Sequence, residues 1–257
     1  MIKSYLTVGL MAATMFATSC DKKNNTPVTP PVTDTTGSVA IHVENVAGDK
    51  PLQLNSETYV NANGDSFTVR MYKYYLTNFR LVKEDGTEYV QPESYYLINQ
   101  ADEASFKFNI DNVPSGKYTH IRFMQGVDSV RNVSGAQDGA LDPLHGMFWT
   151  WSTGYIMAKI EGNSTSVPTS AGNLIFHLGG FTRNGAVKEI EIPLTETIVV
   201  GKEKNPAIYL RSDILKWFTG SANIDFSTTY NVMEPGFTST LLVENYSKMM
   251  SVTKVTN

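Results

Sequence analysis

Apolar and polar positions alternate with a period of two along most of the chain. Val39, Ile41 and Val43 alternate with Ala40, His42 and Glu44, and Phe67, Val69 and Met71 with Thr68 and Arg70. The same pattern holds for Phe106, Phe108 and Ile110, for Ile156, Ala158 and Ile160, and for Ile190 and Ile192. Leu174, Phe176 and Leu178 point one way, with Ile175 and His177 the other. Such runs predict short, half-buried strands. Glu84-Asp85-Gly86 and Pro114-Ser115-Gly116 supply turns between them, and Asn63-Gly64 and Asn184-Gly185 suit tight hairpins that need positive φ. Helical signal is confined to Ile214–Phe218, with Ser212 or Asp213 as cap and Gly220 as stop. The predicted fold is all-β, an antiparallel β-sandwich over residues 37–257 with a short helix near the C-terminus. Lys254–Asn257 either frays or closes a sheet edge.

The first residues break this pattern. Lys3 precedes a short apolar run, Leu6–Phe16, and small residues lead up to Cys20. The run is too short to span a bilayer. Residues 1–19 therefore read as a lipoprotein signal peptide, with Cys20 as the acylated residue. Residues 20–36, with Pro27, Pro30 and Pro31 among polar residues, read as the linker from lipid to domain. The expected location is extracytoplasmic and membrane-anchored, in the periplasm or on the outer-membrane surface. Cys20 is the sole cysteine. The mature domain thus has no thiol for disulfides, thiolate metal sites or cysteine nucleophiles. The formal net charge is −4 and there is no basic run, which argues against nucleic acid. Gly-x-Ser-x-Gly, His-Glu-x-x-His and phosphate-loop motifs are absent, and no enzymatic activity is expected.

One segment carries unusual chemistry. Leu141–Tyr155 concentrates His145, Met147, Trp149 and Trp151. In an extended chain Met147, Trp149 and Trp151 share a face, where such residues ordinarily build core. His145, before Gly146, belongs on a loop. His177, near the paired Gly179 and Gly180, can reach a rim site, while His42 and His120 fall on polar strand faces. Imidazoles without cysteine suit copper or zinc, and added Met or Trp-derived groups favour Cu(I). A calcium loop at Asp138 and Asp142 matches no EF-hand spacing.

The order of these residues resembles a family. It comprises Gly126-Val127-Asp128 with Asn132, then Leu141-Asp142-Pro143, Gly146-Met147-Phe148-Trp149-Thr150-Trp151, Gly154-Tyr155, Lys159-Ile160-Glu161-Gly162 and Phe176-His177-Leu178-Gly179. Upstream lie Tyr75–Leu81, Asp85-Gly86 and Gly116-Lys117-Tyr118. The chain is similar to the MbnP-like family, periplasmic proteins encoded in methanobactin copper-uptake cassettes. The resemblance implies a β-rich secreted protein that binds Cu(I) through His and a Trp oxidised to kynurenine. A dihaem enzyme of the peroxidase type is the implied partner in that oxidation. Trp149 or Trp151 is then the residue to be oxidised and His177 the imidazole ligand, with His145 and Met147 chemically suitable neighbours. The mature chain departs from methanotroph members in having no cysteine. Two other readings compete: a glycan- or protein-binding module with Trp149, Trp151 and Tyr155 as an exposed platform, and a structural domain without a metal site.

Overall fold

The computed structural model describes residues 35–149, 154–181, 185–234 and 237–257. The signal peptide, Cys20, most of the linker, Trp151 and Asn184 lie outside the described residues. The strands are β1 (Thr36–Ala47), β2 (Lys50–Pro51), β3 (Thr58–Val60), β4 (Ser66–Lys83), β5 (Glu88–Val90), β6 (Tyr95–Asn99), β7 (Lys107–Pro114) and β8 (Gly116–Gln125). A one-turn helix α1 (Ser129–Val133) follows, then β9 (Phe148–Trp149), β10 (Gly154–Ser164), β11 (Asn173–Gly179), β12 (Lys188–Val200), β13 (Ala207–Asp213), β14 (Asn231–Val232), α2 (Phe237–Tyr246) and β15 (Met250–Thr256).

Two sheets face each other as an all-β sandwich. The smaller runs β15-β13-β1-β2, with β7 also paired to β1. The larger runs β12-β8-β4-β10-β11-β14, with β3, β5 and β6 added along β4. β4 is its spine: at 18 residues it is long enough to pair with different strands along its length. The sandwich is not purely antiparallel, because β1 runs parallel to β13 and β11 parallel to β14. β15 closes the edge of the smaller sheet against β13, the second of the two outcomes expected for the C-terminus.

Alternation places the core. Val39, Ile41 and Val43 of β1 meet Tyr72 and Tyr74 of β4 and Ile160 of β10, all buried. Two phenols cross the sandwich. Tyr72 Oη lies 2.8 Å from Ser212 Oγ on β13, and Tyr74 Oη donates to Asn45 Oδ1 on β1 at 2.7 Å. Burial pushes both phenols above the ordinary tyrosine range, so both stay neutral donors. Phe67, Phe176, Phe218 and Phe226 pack beside them, mostly edge-on.

Three local expectations change. The helix at Ile214 is a single 3-10 turn, Ile214–Trp217, capped by Asp213 Oδ1 on Leu215 N at 3.0 Å. The longer helix near the C-terminus is α2, whose apolar stripe is interrupted by the buried Asn245. That side chain is held from outside the helix: Oδ1 accepts from Ser221 N at 2.8 Å and Nδ2 donates to Ala222 O at 2.8 Å. Tertiary bonds, not periodicity, therefore fix it. Phe106 ends a 3-10 turn instead of starting a strand. Finally, β11 and β12 flank Asn184-Gly185 but pair with other strands, so that dipeptide joins no hairpin.

Tyr74→Phe should cost about 1–3 kcal/mol of stability, because it leaves Asn45 Oδ1 buried without its donor. Urea unfolding checks this, and an unchanged midpoint would show that the cross-sheet bond contributes nothing.

Candidate metal site

The outward face of β4, β10 and β11 carries the charged residues of those strands. Lys73, Lys159 and His177 lie in one row across the three, as register partners Lys73↔Lys159 and Lys159↔His177. Glu161 is two residues along β10 from Lys159 and so shares this face. His177 Nε2 is 3.0 Å from Glu161 Oε1, and Arg70 Nη2 donates to Glu161 Oε2 at 3.1 Å.

A bulge sets this geometry. Glu161 pairs with Met71 and Gly162 with Val69, which leaves Arg70 as the extra residue on β4. The bulge presses the β4 backbone onto β10 at Gly162, where a Cβ would collide with Thr68 O. A second bulge at Met157 puts Lys159 opposite His177. It also buries every residue from Tyr155 to Ile160, so the simple alternation predicted for β10 fails there.

The segment before β10 is tied down across this face. Asp142 Oδ1 accepts from Leu144 N at 2.8 Å and caps a 3-10 turn, Pro143–His145, which Gly146 ends. Lys73 Nζ then donates to His145 O at 2.9 Å and Lys159 Nζ to Gly146 O at 2.7 Å. Tyr155 Oη donates to Leu141 O at 2.8 Å, and Asn132 Oδ1 accepts from Tyr155 N at 3.1 Å. Met147 and Trp149 follow as buried residues, and Trp149 pairs with Gly154. The Trp149 ring lies directly on Gly179, where any Cβ would fall inside it. Gly179 and His177 are two apart on β11, so the indole rests on the face that carries the imidazole.

Electrostatics keep that imidazole neutral. Burial, and then the Lys159 ammonium, push His177 below the usual histidine range, against the opposing pull of Glu161. Burial draws Glu161 toward its neutral form, but the bonds from Arg70 and His177 outweigh it and hold the carboxyl below its ordinary range. An ionised carboxylate only accepts, so His177 Nε2 carries the ring proton. Its Nδ1 is buried and meets no hydrogen-bond partner among the described residues. Burial also lowers the Lys159 ammonium, with Glu161 opposing and Lys73 adding to the shift.

The predicted site residues are thus only partly brought together. Trp149 and His177 share a face, and Trp151 lies outside the described residues. Met147 is core, with no exposed surface. The exposed His145 turns elsewhere: its Nε2 is 2.9 Å from Gly139 O, and it borders a cleft of about 280 Å³ with Tyr95, Tyr96 and Phe108. His42 stacks on Tyr209 in the other sheet, and His120 sits beside Thr119 on β8. Among the described residues no three His, Cys, Asp or Glu side chains converge as a metal cluster. The exposed aromatic platform is not formed by Trp149 and Tyr155, which are 6% and 1% exposed. Arg70 and Lys73 escaped sequence reasoning, and Lys159, Glu161 and Gly179 entered it only as motif positions, without a role in the site.

A soft ion such as Cu(I) fits what is present in one respect: a neutral imidazole with an unused, buried lone pair on the sheet face that also carries an indole. Among the described residues no cluster of three His or carboxylate groups completes a ligand set around it.

Gly179→Ala should force the Trp149 ring off β11. The expected outcome is indole emission shifted to longer wavelength and a loss of about 1–3 kcal/mol in unfolding free energy. Wild-type emission and stability would mean that the ring does not rest on Gly179.

Comparison with known proteins agrees with the motif. No curated protein matches the chain. A solved structure, MbnP from Methylosinus trichosporium, matches at 17% identity and a TM-score of 0.47, over 78% of this chain and 82% of that one. The MbnP family model matches residues 36–234, most of the sequence, and the chain therefore belongs to the MbnP family.

Proposed function

We propose that this protein binds and handles copper outside the cytoplasm, anchored to a membrane by acylated Cys20. Its ligands would be His177 and a group derived from Trp149, with Trp151 as the alternative source. Family membership supports a role associated with methanobactin, and the residues narrow it. One observation carries the reading: the buried Nδ1 of His177 lacks a hydrogen-bond partner among the described residues, and its side chain stands on the face of β11 on which the Trp149 ring covers Gly179. An unpartnered buried acceptor costs free energy, so a function must account for it.

Each residue then has a task. His177 offers a neutral nitrogen because burial and Lys159 oppose its protonation. Lys73 and Lys159 hold the carbonyls of His145 and Gly146, and so hold the strand that delivers Trp149. Gly179 lets the ring lie against the sheet. Oxidation of the indole to kynurenine, with peroxide as oxidant at a dihaem enzyme of the peroxidase type, would cleave the C2–C3 bond, release C2 as formate after hydrolysis, and add a ketone and an aniline as donors there. Copper bound at these groups would be stored or passed on, and the chain is a binding protein, not an enzyme. In this reading His145 and Met147 are not ligands: the first lines a different cleft and the second fills the core.

The test is a Cu(I) competition titration of protein purified from its native membrane, with mass spectrometry of the Trp149 peptide. The expected result is one tightly held Cu(I), an oxygenated Trp149 or Trp151, and at least about tenfold weaker binding in His177→Ala. Unmodified tryptophans together with equal Cu(I) affinity in the variant would refute the proposal.

A further inference from the structure

Glu161 stands in a chain of contacts whose members have unequal exposure. The Arg70 side chain is 45% exposed, Glu161 19% and His177 9%, so the contacts lead from solvent to a buried ring. The outer pair adds little by itself, because exposed ion pairs are screened. The inner pair is different, since a buried imidazole without Glu161 would leave both ring nitrogens unpartnered. The chain's geometry is also built in. Arg70 reaches Glu161 only because it is the extra residue of the β4 bulge, and the bulge fits only because residue 162 lacks a side chain.

We propose that Glu161, held by Arg70 at this bulge, is a positioning residue that keeps the ring proton of His177 on Nε2 and so leaves the lone pair on Nδ1, on the strand face that Trp149 covers. The part that concerns copper rests on the function proposed above; the choice of tautomer does not. A neutral imidazole can carry its proton on either nitrogen, and only the nitrogen without it can bind a metal. The carboxylate bond at 3.0 Å settles that choice and fixes the ring's rotation about its bond to the strand. Carboxylate partners of ligating histidines act in this way, and their loss typically weakens metal binding roughly 10–100-fold. Lys159 completes the device from the other side. It is the register partner of His177, is 9% exposed, and is held on Gly146 O at 2.7 Å, so it fixes the backbone that leads to Trp149 beside the ring's own strand.

The experiment is nitrogen-15 NMR of histidine-labelled, metal-free protein, followed by Cu(I) competition on the same samples. In the wild type His177 should show a single tautomer with Nε2 protonated and an Nε2–H resonance protected from solvent exchange. Glu161→Ala should lose that protected resonance and weaken Cu(I) binding roughly 10–100-fold, with Glu161→Gln, which retains an acceptor, recovering part of both. Thermal unfolding of each variant separates this from a general loss of structure. A wild-type ring protonated on Nδ1 would overturn the proposal outright. So would a protected resonance and a Cu(I) affinity that both survive Glu161→Ala. A wild type with the Nε2–H tautomer but no Cu(I) binding would sink the copper reading and leave the role of Glu161 in choosing the tautomer supported.

Discussion

The structure depends on two phenols buried between the sheets and bonded to the opposite one. Tyr72 and Tyr74 point inward from β4, and their hydroxyls find Ser212 and Asn45 on the opposite sheet. A slip of one residue along β4 would turn both outward and bring Lys73 into the core, so the pairing admits one register. That register decides what the other face of the sheet presents. Lys73 falls beside Lys159, and Lys159 beside His177, because their neighbours on each strand are committed to the core. The chemistry on the outside is thus set by the packing on the inside.

The face so defined is more expensive than an ordinary solvated one. Lys159 is almost entirely buried, stands next to another ammonium and a histidine, and among the described residues has Gly146 O and the nearby Glu161 to compensate. Burying a charge in this way is unfavourable unless it is paired and hydrogen-bonded. What it achieves is a fixed course for the chain from Asp142 to Trp149. The turn capped by Asp142 presents two successive carbonyls, two lysines from adjacent strands take them, and the indole comes to rest on Gly179. The same lysine helps to keep His177 neutral, so one residue serves both the backbone and the ring.

Much of the architecture was legible because strands with one buried face write a period of two into the sequence. β1 and β12 follow it closely, while in β11 it breaks at the buried His177. The pattern fails where a bulge intervenes, as at Met157, where both faces of β10 become buried, and in α2, whose position rests on bonds to Asn245 from distant loops. The site was legible as a set of residues but not as a geometry. The motif residues each have a contact: Asp142 is a cap, Tyr155 bonds Leu141 O, Glu161 bonds His177, Gly162 admits the bulge and Gly179 seats the ring. Apart from the local Asp142 cap, these contacts do not follow from spacing along the chain, because they join segments that the fold brings together. His145 lies in an exposed turn ended by Gly146, as its place before that glycine implied, but its ring meets Gly139 O, a contact that its nearness to Trp149 in sequence does not indicate.

His177 is therefore the residue on which the account turns: neutral, held at one nitrogen, unpartnered at the other among the described residues, and on the strand face that an indole covers. The measurement that tests this most directly is a crystal structure of the Cu(I)-loaded protein with anomalous diffraction at the copper edge. The account predicts an anomalous peak within bonding distance of His177 Nδ1, on the side of Trp149, with Nε2 still bonded to Glu161. A peak at His145, His42 or His120 with none at His177, or a peak on Nε2 with Glu161 displaced, would contradict it.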